Sequence, residues 1–100
     1  MMLNGLRNMN NKILTAAIDL AAVHGYTNVT RHQIAEMIDC APSLIPYHFG
    51  TMKQLRRSIM GEAIRTKNLI IIAQGLTAKD SRALGCSDEL KRAACEYLCV

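Results

Sequence analysis

Two short pairs constrain this chain more than anything else in it: Thr30 with Gln33, and Thr51 with Gln54. A threonine followed three residues later by glutamine lets hydroxyl and amide satisfy each other's orphan backbone donors, a signature of a helix start. The first pair leads into Ile34, Ala35, Met37 and Ile38, an apolar face of barely more than two turns. Upstream, Ile13, Leu14, Ala17, Ile18, Leu20 and Ala21 recur at three- and four-residue steps and predict a helix from Asn11. It ends at "HGY", where Gly25 supplies the left-handed conformation that closes helices at low cost, and His24 suits the negative end of the dipole. The stretch "DCAPSLIPYHFG", residues 39–50, then holds a third helix between two capped ones. Three short helices joined by tight turns form a helix-turn-helix arrangement.

Pro42 and Pro46 limit how that third helix can start. Inside a helix a proline removes a hydrogen bond and clashes with the preceding turn, at about 3 kcal/mol, whereas the first turn tolerates it. If Ser43 is the cap, Pro46 is the third helical residue and does little harm. If the helix starts at Pro42, then Pro46 must kink it.

After Thr51, the residues Met52, Leu55, Ile59, Ala63, Thr66, Ile70, Ala73 and Leu76 form one apolar stripe, which predicts a single long fourth helix. "LIIIA", residues 69–73, is apolar all round; with no partner strand in sight, helix is the better assignment. "LTAKDSRALGC" is a connection with room for a helical turn. Ser87 caps a terminal helix that carries Asp88 and Glu89 in its first turn and Leu90, Ala93, Ala94, Tyr97 and Leu98 inside. The expected fold is all-α: a loose, Asn-rich arm over 1–10, a helix-turn-helix head over 11–57 and a helical dimerisation segment over 58–100.

Charge adds direction. The net charge is +4; up to Arg57 six basic side chains face three acidic ones, and from Ser58 onward six face five. The front half is therefore the half to suspect of meeting phosphate. Cys40, Cys86, Cys95 and Cys99 lack zinc-site spacing, and reduced thiols in a cytoplasmic protein are expected. The start has no signal-peptide pattern, and no segment approaches the ~20 apolar residues of a membrane span. No catalytic constellation or phosphate-cradling glycine loop emerges, so neither an enzyme nor a cofactor or metal is expected.

Residues 13–55, from "ILTAAIDLAAVHGY" through Thr30, "IAEMI", "YHF" and Gly50–Leu55, resemble the DNA-binding region of the TetR family of bacterial transcriptional regulators. The resemblance implies a third helix in the major groove and a homodimer on a palindromic operator. It places Thr30, Tyr47 and His48 on backbone phosphates and makes Phe49 a core anchor. Lys53 falls one place after the usual family lysine, where this chain has Met52. The reading surface departs from the family at Ala41, Ser43, Leu44 and Pro46, and His32 stands where many members carry Arg. The DNA-contacting set is Thr30, Arg31, His32, Pro42, Ser43, Leu44, Tyr47, His48 and Lys53. Leu44 offers only apolar contact, for example to a thymine methyl.

Family members run about twice this length, because the part after the fourth helix holds a ligand pocket. A pocket of ~300 Å³ or more is hard to enclose here, so a regulator without a small-molecule ligand is expected; repression by blocking the polymerase and activation by contacting it both fit the sequence, with a repressor the preferred reading. Its homodimer contacts are assigned to Ile64, Leu69, Ile70, Ile71, Ile72, Leu76, Leu90, Ala94, Tyr97 and Leu98, apolar surface that a small monomer cannot easily hide. The alternative is a protein-interaction module of regulator-like fold that binds another regulator or the transcription machinery through its apolar C-terminal helices.

Overall fold

The computed structural model describes residues 4–99, with side chains placed for residues 9–98. The chain forms α1 (Asn4–His24), α2 (Arg31–Ile38), α3 (Leu44–Phe49), α4 (Met52–Arg65), α5 (Leu69–Thr77), α6 (Ser81–Leu84) and α7 (Asp88–Cys99), and no strand occurs among the described residues. The all-α expectation holds.

Helix α1 starts earlier than its apolar stripe suggests. Residues 4–10 are helical, so this part of the expected arm is ordered; residues 1–3 lie outside the described residues. Met9, four residues before the fully buried Ile13, packs on the core and extends the stripe by one turn. Once a helix exists, each added residue gains a hydrogen bond, and this outweighs the modest cost of asparagine. At the other end Gly25 has φ 94°, and the Asn28 side chain donates to the His24 carbonyl at 2.7 Å.

Both threonine boxes are present. Thr30 Oγ1 accepts from the Gln33 amide while Gln33 Oε1 accepts from the Thr30 amide, and Thr51 with Gln54 repeats the exchange. Between them α3 starts late. Ser43 holds the cap position without a side-chain bond, and Pro46 is the third residue of the helix. The Pro42 carbonyl, which the missing Pro46 amide would have met, accepts from the Ile45 amide instead (3.2 Å). The Pro42 carbonyl is therefore not left without a partner. Ile45 is fully buried with Ile13, Ile34, Leu55 and Ile59, and Phe49 packs on the same core, which fixes α3 against the rest of the head.

The expected long fourth helix breaks in two. Lys67 adopts φ 58°, the Asn68 amide donates to the Ala63 carbonyl (2.7 Å) and the Lys67 amide to that of Ile64 (3.2 Å), which is a Schellman closure. Asn68 then caps α5 through its bond from the Ile71 amide. The same closure recurs after α5, with Lys79 at φ 59° and the Asp80 amide on the Gly75 carbonyl. The apolar stripe survives the break, because α5 folds back and buries Ile71, Ile72 and Ala73.

That fold-back corrects the assignment of the dimer surface. Ile71, Ile72 and Ala94 are fully buried inside the chain. Ile64, Leu69, Leu76 and Leu90 are half-buried against the same core, and Ile70 is half-buried as well. The "LIIIA" segment finds its cover in α4 and α7 of its own chain. Gly75 makes the close packing possible: a Cβ there would collide with Met60 and Ala83. Of the ten residues, only Tyr97 and Leu98 remain largely exposed, at 51 % and 54 %.

Head and tail are tied by a polar bracket at Tyr26, a residue the pattern of apolar steps does not single out. Its amide donates to Gln74 Oε1 (2.8 Å), Gln74 Nε2 donates to the Ala21 carbonyl (2.9 Å), and the Tyr26 hydroxyl donates to Asp80 Oδ2 (2.9 Å). Asp80 Oδ1 caps α6 by accepting from the Arg82 and Ala83 amides. One carboxylate thus serves both the helix start and the joint.

Candidate nucleic-acid interface

A six-residue helix can offer only one face outward. With Ile45 and Phe49 turned to the core, the helical repeat puts Ser43 and Tyr47 on the opposite side and Leu44 and His48 along one flank. Ser43, Pro42 and Tyr47 are exposed, Tyr47 by 76 %, while Leu44 and His48 are half-buried. The Tyr47 and His48 rings meet edge to face, with centroids 5.1 Å apart. This contact restricts the phenol while leaving its hydroxyl outward.

Thr30, Arg31 and His32 are exposed at the amino end of α2, and Lys53 is exposed at that of α4. Helix amino ends carry free amides and the positive end of the dipole, a ready site for phosphate. In both helices the box holds two of those amides internally and leaves others free. Neither helix has an acidic residue in its first turn.

Thr51 was not among the expected DNA contacts, although its box is the twin of the one at Thr30. Gly50, just before it, has φ 74°, and the Gln54 side chain folds over the space where a Cβ would be. The signal was legible, because the same capping pattern that singled out Thr30 is present at Thr51.

Among the described residues no group of three or more His, Cys, Asp or Glu could hold a metal ion, and no helix is long and apolar enough to cross a membrane. Cys40, Cys86 and Cys95 are free thiols. A surface groove of about 430 Å³ lies between α1 and α2 and is lined by Lys12, Thr15, Asp19, Met37 and Ile38, among others. It includes none of the α3 residues.

Two short helices joined by a tight turn, the second with an outward polar face and flanked by capped helix starts, define a helix-turn-helix DNA-binding head. Residues 13–59 match the family model of bacterial regulatory proteins, tetR family, so this head is similar to that of a family of DNA-binding transcription regulators. No curated protein and no solved structure matches the chain.

Proposed function

We propose that the protein is a sequence-specific transcriptional repressor that binds a palindromic operator as a homodimer, without an inducer pocket and without catalytic activity. The observation that carries this reading is the outward face of α3 between two exposed, acid-free helix starts. Ser43, Leu44 and Pro42 face bases. Tyr47, His48, Thr30, Arg31, His32 and Lys53 hold phosphates, which set the register and carry no sequence information themselves.

The dimer contact lies at the exposed end of α7, around Tyr97 and Leu98, in place of the buried α5 residues. Two half-sites supply the discrimination that one short helix lacks. The tail spends its apolar residues on its own core, which supports repression by occupancy alone over ligand release.

The second reading, a protein-interaction module, draws on the same exposed Tyr97 and Leu98. A mobility shift against random duplex at several salt concentrations separates the two. Enrichment of a palindrome, with affinity falling steeply as salt rises, supports the repressor; weak, unselective binding supports the module. Sedimentation at micromolar protein gives a dimer mass on the first reading, and a monomer mass contradicts it.

A further inference from the structure

Helix α4 carries four cations, Lys53, Arg56, Arg57 and Arg65, against one carboxylate, Glu62. Arg65 turns back on Glu62, with Nε to Oε1 at 2.9 Å, and this bond holds the Glu62 carboxyl below the ordinary range. Arg56 is half-buried. Lys53 and Arg57, one turn apart, are exposed and share a face. The next step along that face is Gly61, and its bare backbone is covered from α6: a Cβ on Gly61 would lie 2.5 Å from Arg82 Nη1. The Arg82 guanidinium therefore stands where the next side chain of the row would be. From Lys53 to Gly61 the row is about 12 Å long.

None of these three cations is in an ion pair among the described residues; the pairs there are Glu62 with Arg65 and Asp88 with Lys91. The carboxylate nearest Arg82 in sequence, Asp80, is committed to the Tyr26 hydroxyl and the α6 amides. Convergent donors would suit a small anion. A row of cations suits a polyanion, and this row begins beside Thr51, at the helix start assigned to phosphate.

We propose that Lys53, Arg57 and Arg82 form one phosphate track that holds the DNA backbone flanking the sequence read by α3, an inference that rests on the head binding DNA. Guanidinium groups match phosphate with two parallel donors. Gly61 is the residue that lets Arg82 lie along α4 and extend the track from a helix of its own. The footprint is then wider than the head alone would give, and the added contacts are indifferent to sequence.

The test uses the full chain and the duplex that the wild type enriches, in two lengths: trimmed to the enriched sequence, and extended by about one helical turn, ~10 base pairs, on each side. Affinity is followed against salt. On the extended duplex Arg57→Ala and Arg82→Ala each make the log–log slope shallower by about one, the value of one phosphate contact, and on the trimmed duplex both match the wild type. Both variants are at exposed positions, and unchanged circular dichroism confirms folding. A wild-type slope on the extended duplex, or equal loss on both lengths, overturns the track while leaving the head reading intact. Failure of the wild type to enrich any duplex overturns the head reading and the track with it.

Discussion

The head and the tail start their helices alike, on side-chain caps, and differ in how they stop them. In the head, α2 and α4 start at threonine boxes, α1 ends on Gly25 and α2 ends on Asp39 at φ 55°, residue types that enter positive φ more readily than most. In the tail, α4 and α5 both end on a lysine in the left-handed conformation, and the joint to the head runs through Gln74 and Asp80. Local chemistry specifies how the head's helices stop. The tail's helix ends are specified by what they pack against, because a lysine adopts positive φ only when the surrounding contacts favour it by more than the strain of about 1–2 kcal/mol.

The largest effect should come from the head's core. Ile45→Ala empties a fully buried site that ties α3 to α1, α2 and α4, and we expect a loss of about 2–5 kcal/mol in denaturant unfolding, with DNA binding lost alongside. A small loss would mean that α3 is held by something other than this core.

Next comes the bracket between the two regions. Burial, and then the bond to Asp80, push the Tyr26 phenol up to about 12. A pKa raised on folding means that the stabilisation is fully present below about pH 10, the unfolded value, and is lost as pH rises through 12. Its size is at most about 3 kcal/mol. Tyr26→Phe should lower stability at neutral pH by about 1–2 kcal/mol and flatten the decline between pH 10 and 12. An unchanged pH profile in the variant would remove the bracket from the account.

Smaller effects divide the regions by sign. Thr51→Ala loses a cap and should cost about 1 kcal/mol. Lys67→Gly and Lys79→Gly relieve positive φ and should each raise the midpoint of thermal unfolding, by about 1 kcal/mol in stability. If the glycines destabilise, the tail's turns depend on the lysine side chains in a way the backbone does not reveal. Smallest of all, Tyr47→Ala at an exposed position should change stability by less than about 0.5 kcal/mol, yet weaken DNA binding across all sequences.

This contrast also explains what the amino-acid sequence disclosed. Capping pairs, apolar steps and Gly25 are local signals, so the head, its helix order and its outward residues were legible. Lys67 gives no local sign of a helix end, which is why α4 and α5 were expected as one helix. Ile71, Ile72 and Ala94 were assigned to a partner because sequence periodicity shows that a face is apolar without showing that the same chain folds back to cover it. Tyr26 and Asp80 are far apart along the chain, and nothing in either residue announces the other. Leu44 was legible as a departure, but its half-burial depends on how α3 seats against the core.

The central claim is that α3 reads bases while the helix starts around it hold phosphate. Parallel selections from a random duplex library with the wild type, Leu44→Ala and Tyr47→Ala test it most directly. The account predicts a palindrome with the wild type, a palindrome altered at one position of each half-site with Leu44→Ala, and the wild-type palindrome at reduced affinity with Tyr47→Ala. The same palindrome from the wild type and Leu44→Ala at equal affinity, or no enrichment by the wild type, would contradict it.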